Sequence, residues 1–576
     1  MIQSSKKSVR DVVSLCAEHG ITRVVFSPGS RNAPLVIGFS NHPQFTTYVI
    51  PDERVAAFYA MGMAQASGEP VVICCTSGSA ALNYYPAIAE AFYQRIPLVA
   101  LTADRPAEWV DQNDGQTIRQ ENVFSNHIRY QVSLKRDVED FQTIAFNQRV
   151  INEALNAAVG SNKGPVHINM PFEEPLYKTF EGEEAPAKRI VRYPSASVLD
   201  VEATAETAKM WAASQRKIIL VGQSNPQPDW AESLTKLAAD PSVVILHEST
   251  SNTFVADENG THPKDSNQEG PIGFGHIDRY LMPLSQDQFA PLAPDILLTL
   301  GGAVVSKKVK AFFRTVRPNE HWHVGEGTPH PDTYQVLTRS IDAQPKDFLE
   351  SLPLLKASES LPMKKAWEDR KSETHQKHLD FCARVPWGDM KAIETLFGNL
   401  PKDAVIHLAN STPVRYAQLF DQGRNHAHFC NRGTSGIDGT LSTAAGFAEV
   451  DKNTNVIITG DLSFFYDSNA FFSPHVPSNL KTIVINNGGG GIFRYIPGPQ
   501  TTGLLEKNFE AAHGFTAEGI AQSYKINYSQ AHSEEELIEK LPAFFDPQSG
   551  ASILEVFTPS TENAEQLKQY FSALKS

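Results

Sequence analysis

Three successive stretches of the chain repeat one hydropathy pattern: a short apolar run, a turn of Gly, Pro, Ser or Asn, then a longer segment with helical spacing. The first holds the runs "TRVVFSPG", "PVVICCTSG", "IPLVALTADRP" and "GPVHINMPF". The second holds "KIILVGQ", "SVVILHEST", "DILLTLGG" and "HWHVGEG", and the third "DAVIHLANS", "HFCNRGTSG", "NVIITGDLS", "KTIVINNGG" and "ASILEVFTP". Continuous apolar strands alternating with helices predict parallel sheets with helical crossovers. Two polar, Pro-containing segments interrupt the pattern: "EGEEAPAKRIVRYPSAS" (Glu181–Ser197) and the region around "LPLLKASESLPMKKAWEDRK". The expected fold is therefore α/β, with three consecutive doubly wound, mainly parallel-sheet domains at residues 1–185, 186–365 and 366–576. Lys364, Lys365 and Glu368 in the second divider read as a solvated helix face.

Composition narrows the possibilities. A chain of 576 residues is too long for one core, and 41% apolar with 20% charged residues describes a folded, enzyme-sized protein. No apolar run approaches the roughly 18 residues of a membrane span, and "MIQSSKKSVRDVVSLC" lacks the apolar core of a signal peptide, so a cytoplasmic location is expected. Five scattered cysteines, Cys16, Cys74, Cys75, Cys382 and Cys430, form neither a disulfide framework nor a CxxC pair and read as buried thiols. A net charge of −14 argues against nonspecific nucleic-acid binding, so an anionic ligand requires a local cluster of cations.

Two strand ends carry unusual chemistry. "VIITGDLSFF" places Asp461 just after an apolar run, and "VINNGGGGIF" places Asn487 after the next one. Ligands of parallel sheets bind beyond the carboxyl ends of strands. A carboxylate and a carboxamide oxygen are hard ligands suited to Mg2+ or Ca2+, and Mg2+ ordinarily takes phosphate oxygens as well. The pair thus points to a phosphorylated cofactor, with Gly488 to Gly491 allowing close backbone approach and a helix beginning near Ser463. The same strings also serve as ordinary turns. Neither a dinucleotide fingerprint nor a GxxxxGK[ST] loop is present.

The order Gly460-Asp461 … Asn486-Asn487 resembles the signature of thiamine-diphosphate enzymes. That resemblance implies metal ligands Asp461, Asn487 and the carbonyl of Gly489, and a catalytic glutamate from an early pyrimidine-binding domain. "VIPDERVAAFYAMGMAQASG" supplies Glu53 at the matching place, although its residues alone read as a helix N-terminal acid. In the family this glutamate bonds N1′ of the aminopyrimidine, so that the 4′-nitrogen can deprotonate the thiazolium carbon.

Within these enzymes, "VVFSPGSRNAPL", "GDLS", "CNRGTSGIDGTLSTAAG" and "GPVHINMPFEEPLY" resemble the family of 2-succinyl-5-enolpyruvyl-6-hydroxy-3-cyclohexene-1-carboxylate synthases of menaquinone biosynthesis. The resemblance implies thiamine diphosphate with Mg2+ or Mn2+, decarboxylation of 2-oxoglutarate, and 1,4-addition of the carbanion to isochorismate. It assigns substrate-side roles to Ser30, Arg31, Arg105, Gln116, Lys307, Ser411, Arg415, Arg432, Ile492 and Phe493, and makes Ile437 the apolar wedge under the bent cofactor. Guanidinium groups suit such dianions because they grip carboxylates bidentately. Taken singly, an arginine is more often an ordinary ion pair, and Lys308 and Lys310 are close alternatives to Lys307. Gly115 departs from the family pattern, which often has Asn before the Gln of "QTIRQ". The family also implies a homodimer or dimer of dimers, with Glu53 and Asp461 meeting across the subunit interface. Two rivals remain: another thiamine-diphosphate carboligase or decarboxylase, and a noncatalytic protein retaining the fold.

Overall fold

The computed structural model describes residues 2–136, 140–182, 186–193, 197–226, 228–253, 273–356, 359–420, 426–496 and 498–575. Parts of both expected dividers, residues 183–185, 194–196 and 357–358, lie outside them.

β1 (Ile2–Ser4) and β8 (Thr179–Glu181) form a small antiparallel pair. The first large sheet contains β2 (Arg23–Phe26), β3 (Thr46–Val49), β4 (Val71–Cys75), β5 (Leu98–Asp104), β6 (Tyr130–Ser133) and β7 (Val166–Pro171), in the order β3-β2-β4-β5-β7-β6 and wholly parallel. The central sheet comprises β9 (Lys217–Val221), β10 (Val243–His247), β11 (Ile296–Leu300), β12 (Glu320–Val324) and β13 (Arg339–Ile341), ordered β10-β9-β11-β12-β13. The last comprises β14 (Val405–Leu408), β15 (His428–Phe429), β16 (Asn455–Gly460), β17 (Leu480–Asn486), β18 (Asn527–Ala531) and β19 (Ser552–Phe557), ordered β15-β14-β16-β17-β19-β18. Its connectivity repeats that of the first sheet strand for strand, so the two outer domains share one topology.

Every inner strand coincides with an expected apolar run, because both its faces are covered by crossover helices; β4 and β5 are buried at every residue. β6, β13 and β18 were not expected, while β3 falls at the short strand-like run expected just before Glu53. All four are edge strands, whose partly exposed, more polar residues break the apolar run.

The outer domains meet along the helices Glu53–Ser67 and Thr440–Val450, which share one apolar core. Their backbones nearly touch: a Cβ on Gly62 would lie 2.0 Å from the Thr443 carbonyl oxygen, and one on Gly446 1.8 Å from that of Tyr59. The helix Pro362–Cys382 runs across the expected boundary at 365/366, with Met363 and Trp367 packed in the central core and Cys382 in the third. Lys364 on this helix departs from the expected solvated face. Its Nζ donates to the Ala238 and Asp240 carbonyls at 2.6 and 3.0 Å, satisfying acceptors at the end of the helix Ala231–Ala238. Lys365 stays exposed, paired with Asp369 at 2.6 Å. All five cysteines are buried, and among the described residues no helix is long and apolar enough to cross a membrane.

Candidate active site

β16 and β17 are neighbours in parallel register, so their carboxyl ends deliver Asp461 and Asn487 to one place. The helix expected near Ser463 begins at Asp461 itself (Asp461–Tyr466). Asp461 is buried; its Oδ1 accepts the Leu462 N–H at 2.6 Å and its Oδ2 the Gly489 N–H at 2.9 Å. Burial pushes its carboxyl above the usual range, while the Leu462 N–H, His513 and the Gly489 N–H pull it back. His513 Nε2 stands 3.4 Å from Oδ2. Gly489 has φ +150, and a Cβ there would lie 2.8 Å from the Glu510 carbonyl oxygen, so only glycine carries the chain past that segment without displacing it. The Gly489 carbonyl accepts the Gly491 N–H at 2.9 Å, which leaves one lone pair.

Asn487 donates its Nδ2 to Asp389 Oδ2 at 3.0 Å, so its Oδ1 is not the atom that faces Asp389. Asp389 is also buried, and burial pushes its carboxyl up to about 6, with the Asp461 charge contributing. The Asp461 carboxylate, the Asn487 carboxamide oxygen and the Gly489 carbonyl make a donor set that fits a hard divalent cation completed by phosphate oxygens, with Asp389 held against Asn487. Among the described residues, no three His, Cys, Asp or Glu side chains converge to hold a metal ion.

The cations fall into two groups. In the first domain, Ser30 and Arg31 follow β2, Arg105 follows β5, and Gln116 (φ +53) has its backbone against Gly78. Arg31 Nη1 donates to the Phe172 carbonyl at 3.0 Å, and Arg105 Nη2 to that of Gly115 at 3.2 Å. Burial and then the neighbouring Arg105 charge lower the pKa of Arg31. Gly115 itself has open space around it.

In the third domain, Ser411 (φ +76) precedes the helix Thr412–Ala417 that carries Arg415. Arg415, Ile492, Tyr495 and Asp278, with Lys307 and Lys308 of the central domain, line a cavity of about 150 Å3. Arg432 Nη1 donates to Asn410 Oδ1 at 2.8 Å, and its loop is fastened by Glu90 of the first domain, which accepts the Gly433 and Thr434 N–H groups, each at 2.6 Å. The Nε atoms of Arg31, Arg415 and Arg432 are buried and have no hydrogen-bond partner, while Arg105 Nε lies 3.5 Å from Asp114 Oδ2.

Ile437 is 40% exposed, and its carbonyl accepts the Ser463 hydroxyl at 2.7 Å, which fixes its loop beside Asp461. Phe493 packs against Phe509. Glu53 opens the helix Glu53–Ser67 and accepts from Asn83 Nδ2 at 3.3 Å. Its neighbours turn elsewhere: Arg54 pairs with Asp467 at 3.0 Å and Asp52 accepts from Asn469 at 2.9 Å. The start of this helix therefore meets the far end of the helix that begins at Asp461. Asp389, His513, Asp278 and Glu90 were missed in the sequence, because each is joined to the site only by tertiary contact.

Comparisons with known proteins agree with the fold. Residues 7–124 match the family described as thiamine pyrophosphate enzyme, N-terminal TPP binding domain. An X-ray structure of a candidate thiamin diphosphate-dependent enzyme from Mycobacterium smegmatis superposes with a TM-score of 0.71 at 17% identity, over 96% of this chain and 100% of that one, a likeness of fold. The fold and the paired strand-end loops define a thiamine-diphosphate-dependent enzyme. A 2-succinyl-5-enolpyruvyl-6-hydroxy-3-cyclohexene-1-carboxylate synthase of Christiangramia forsetii is 42% identical over 98% of this chain and 98% of its own, and one of Porphyromonas gingivalis is 41% identical over 99% and 97%. The chain belongs to the 2-succinyl-5-enolpyruvyl-6-hydroxy-3-cyclohexene-1-carboxylate synthase family.

Proposed function

We propose that this chain decarboxylates 2-oxoglutarate and adds the resulting four-carbon carbanion to isochorismate in 1,4 fashion, releasing CO2 and giving 2-succinyl-5-enolpyruvyl-6-hydroxy-3-cyclohexene-1-carboxylate for menaquinone biosynthesis. The observation that carries the reading is the meeting of Asp461, Asn487 and Gly489 at adjacent strand ends, in a chain where Arg31, Arg415 and Arg432 keep buried Nε atoms without a hydrogen-bond partner. Thiamine diphosphate, when bound, supplies the electron sink that makes loss of CO2 feasible.

The residues divide the remaining work. Asp461, Asn487 and the Gly489 carbonyl would hold Mg2+, or Mn2+, together with the cofactor's diphosphate. Ile437 would pack against the cofactor, and Glu53 would hold a proton at N1′ of the aminopyrimidine. Arg31, Arg105, Arg415, Arg432 and Lys307, with Ser30, Gln116 and Ser411, bind the carboxylates of two dianionic substrates, and Ile492 and Phe493 form the apolar side. Glu53 of one subunit serves the metal centre of another in a homodimer or dimer of dimers; its contacts within the chain, to Asn83 and not to the Asp461 cluster, support this reading. The domain limits proposed are 1–185, 186–365 and 366–576, with the helix Pro362–Cys382 linking the last two. The burial of all five cysteines accords with a cytoplasmic location.

The deciding experiment measures CO2 from purified protein given Mg2+, thiamine diphosphate and 2-oxoglutarate, with and without isochorismate. One CO2 per isochorismate consumed supports the reading. Equal release without isochorismate replaces it with a plain decarboxylase, and no release despite bound cofactor replaces it with a noncatalytic protein.

A further inference from the structure

Asp389 lies 98 residues before Asn487 in the chain and at the opposite end of its domain's sequence from the residues that share its hydrogen bonds. It is the first residue of the helix Asp389–Gly398 and is 2% exposed. Its carboxylate is held at both oxygens. Oδ1 accepts the Thr558 hydroxyl at 2.6 Å and Asn563 Nδ2 at 2.7 Å, while Oδ2 accepts Asn487 Nδ2 at 3.0 Å. Its own N–H donates to Asn563 Oδ1 at 2.9 Å, so Asn563 grips it from both sides. The preceding Gly388 has no room for a side chain: a Cβ there would lie 2.5 Å from Gln566 Oε1 and 2.7 Å from Asn563 Oδ1. Thr558 is tied back to the end of β17 by its N–H, which donates to the Asn486 carbonyl at 3.0 Å.

A carboxylate only accepts, and a carboxamide presents a donor on one side and an acceptor on the other. With Oδ2 of Asp389 fixed against it, the Asn487 amide has a single orientation: NH2 toward Asp389, Oδ1 away from it. The reverse orientation would set oxygen against oxygen on one side and offer N–H to a cation on the other. We propose that Asp389 is a positioning residue of the metal centre, fixing the Asn487 carboxamide so that its Oδ1, rather than its NH2, is presented to the divalent cation. The inference rests on the assignment of Asn487 as a metal ligand made above. Groups that orient metal ligands in this way typically cost 10- to 100-fold in metal affinity when changed.

The Asp389→Asn variant isolates the effect with almost no change of volume. Thr558 and Asn563 both donate to the Oδ1 side and hold the new amide oxygen there, so the new NH2 faces the NH2 of Asn487 and forces that carboxamide to turn over. Free Mn2+ is read by electron paramagnetic resonance in the presence of thiamine diphosphate, with no turnover needed. Wild-type protein is expected to bind Mn2+ in a cofactor-dependent way, Asp389→Asn to bind it at least tenfold more weakly, and the exchanged pair Asp389→Asn/Asn487→Asp to recover most of that loss. In the exchanged pair, Asn at 389 donates to Asp at 487, whose other oxygen is again presented to the cation, and the net charge is unchanged. Equal Mn2+ affinity in wild type and a folded Asp389→Asn overturns the inference, as does a folded exchanged pair that binds no better than Asp389→Asn. Should Asp389→Asn fail to fold, the exchanged pair is judged against wild type, and binding more than 100-fold weaker overturns the inference. Absence of Mn2+ binding by the wild-type protein would instead remove the metal assignment on which it rests.

Discussion

Gly446→Ala tests the contact that joins the two outer domains. In a free helix this change stabilises by roughly 0.5–1 kcal/mol, because alanine has less backbone freedom to lose. Here the new Cβ would stand 1.8 Å from the Tyr59 carbonyl oxygen, and ordinary van der Waals contact begins at 3.4 Å, so the helices Thr440–Val450 and Glu53–Ser67 must part by about 1.6 Å. The obstacle is backbone in mid-helix, which has no rotamer with which to yield. Overpacking of this kind costs about 1–3 kcal/mol or somewhat more, so the clash outweighs the propensity gain and a net loss of about 2 kcal/mol is expected. Opening the seam would also displace Glu53 at the start of one helix and the Ile437 loop ahead of the other. The assay is the inactivation half-life at a fixed elevated temperature, since a chain of this size need not unfold reversibly. Gly398→Ala is the control, a helical glycine with nothing within 4 Å of the new Cβ. If Gly446→Ala survives heating as well as Gly398→Ala, the reasoning about the seam is refuted.

Other consequences are equally direct. Glu53→Gln should bind thiamine diphosphate calorimetrically yet lose about 100-fold or more in turnover; undiminished turnover would take Glu53 out of the proton-holding role. Arg432→Ala should lower kcat/KM for one of the two substrates by roughly 100-fold through loss of a buried charge-assisted contact, with cofactor affinity unaltered; a change confined to cofactor binding would contradict the substrate-side assignment. His407 is buried against Asn455, and burial lowers its pKa to about 4. The unfolded chain therefore takes up this proton first as pH falls below about 6.5, so the stability His407 contributes is present above that pH and drains away toward pH 4, by about 2 kcal/mol at pH 5. Urea unfolding at pH 7 and pH 5 should show a shallower acid loss in His407→Gln than in wild type, and equal losses would exclude the histidine as a source. Sedimentation should give a dimer or tetramer for active protein; full activity in a monomer would overturn the shared-site arrangement.

Much was legible in the chain because it is local. Strands covered on both faces must be continuously apolar, and a ligand-bearing turn must follow such a strand, so "VIITGDLS" and "VINNGGGG" announce both the sheet and its reactive end. Glu53, Arg31 and Arg432 were found through the resemblance of their motifs to those of the family, with glycine-rich turns after apolar runs adding weight to Arg31 and Arg432. Three edge strands escaped, since β6, β13 and β18 lack the two-sided burial that writes an apolar run. Lys364 was read as solvated because periodicity records which face a residue occupies but not what another domain lays against it; the Ala238 and Asp240 carbonyls made that face a binding surface. The same limit hid Asp389 and Glu90. Their partners lie 98 and 343 residues away, and nothing in local hydropathy or turn chemistry selects one distant carboxylate over another. The sequence alone thus determined which strand ends carry chemistry. Tertiary structure decided how those groups are aimed, because the orientation of an amide or a loop depends on the donor or acceptor that folding happens to bring against it.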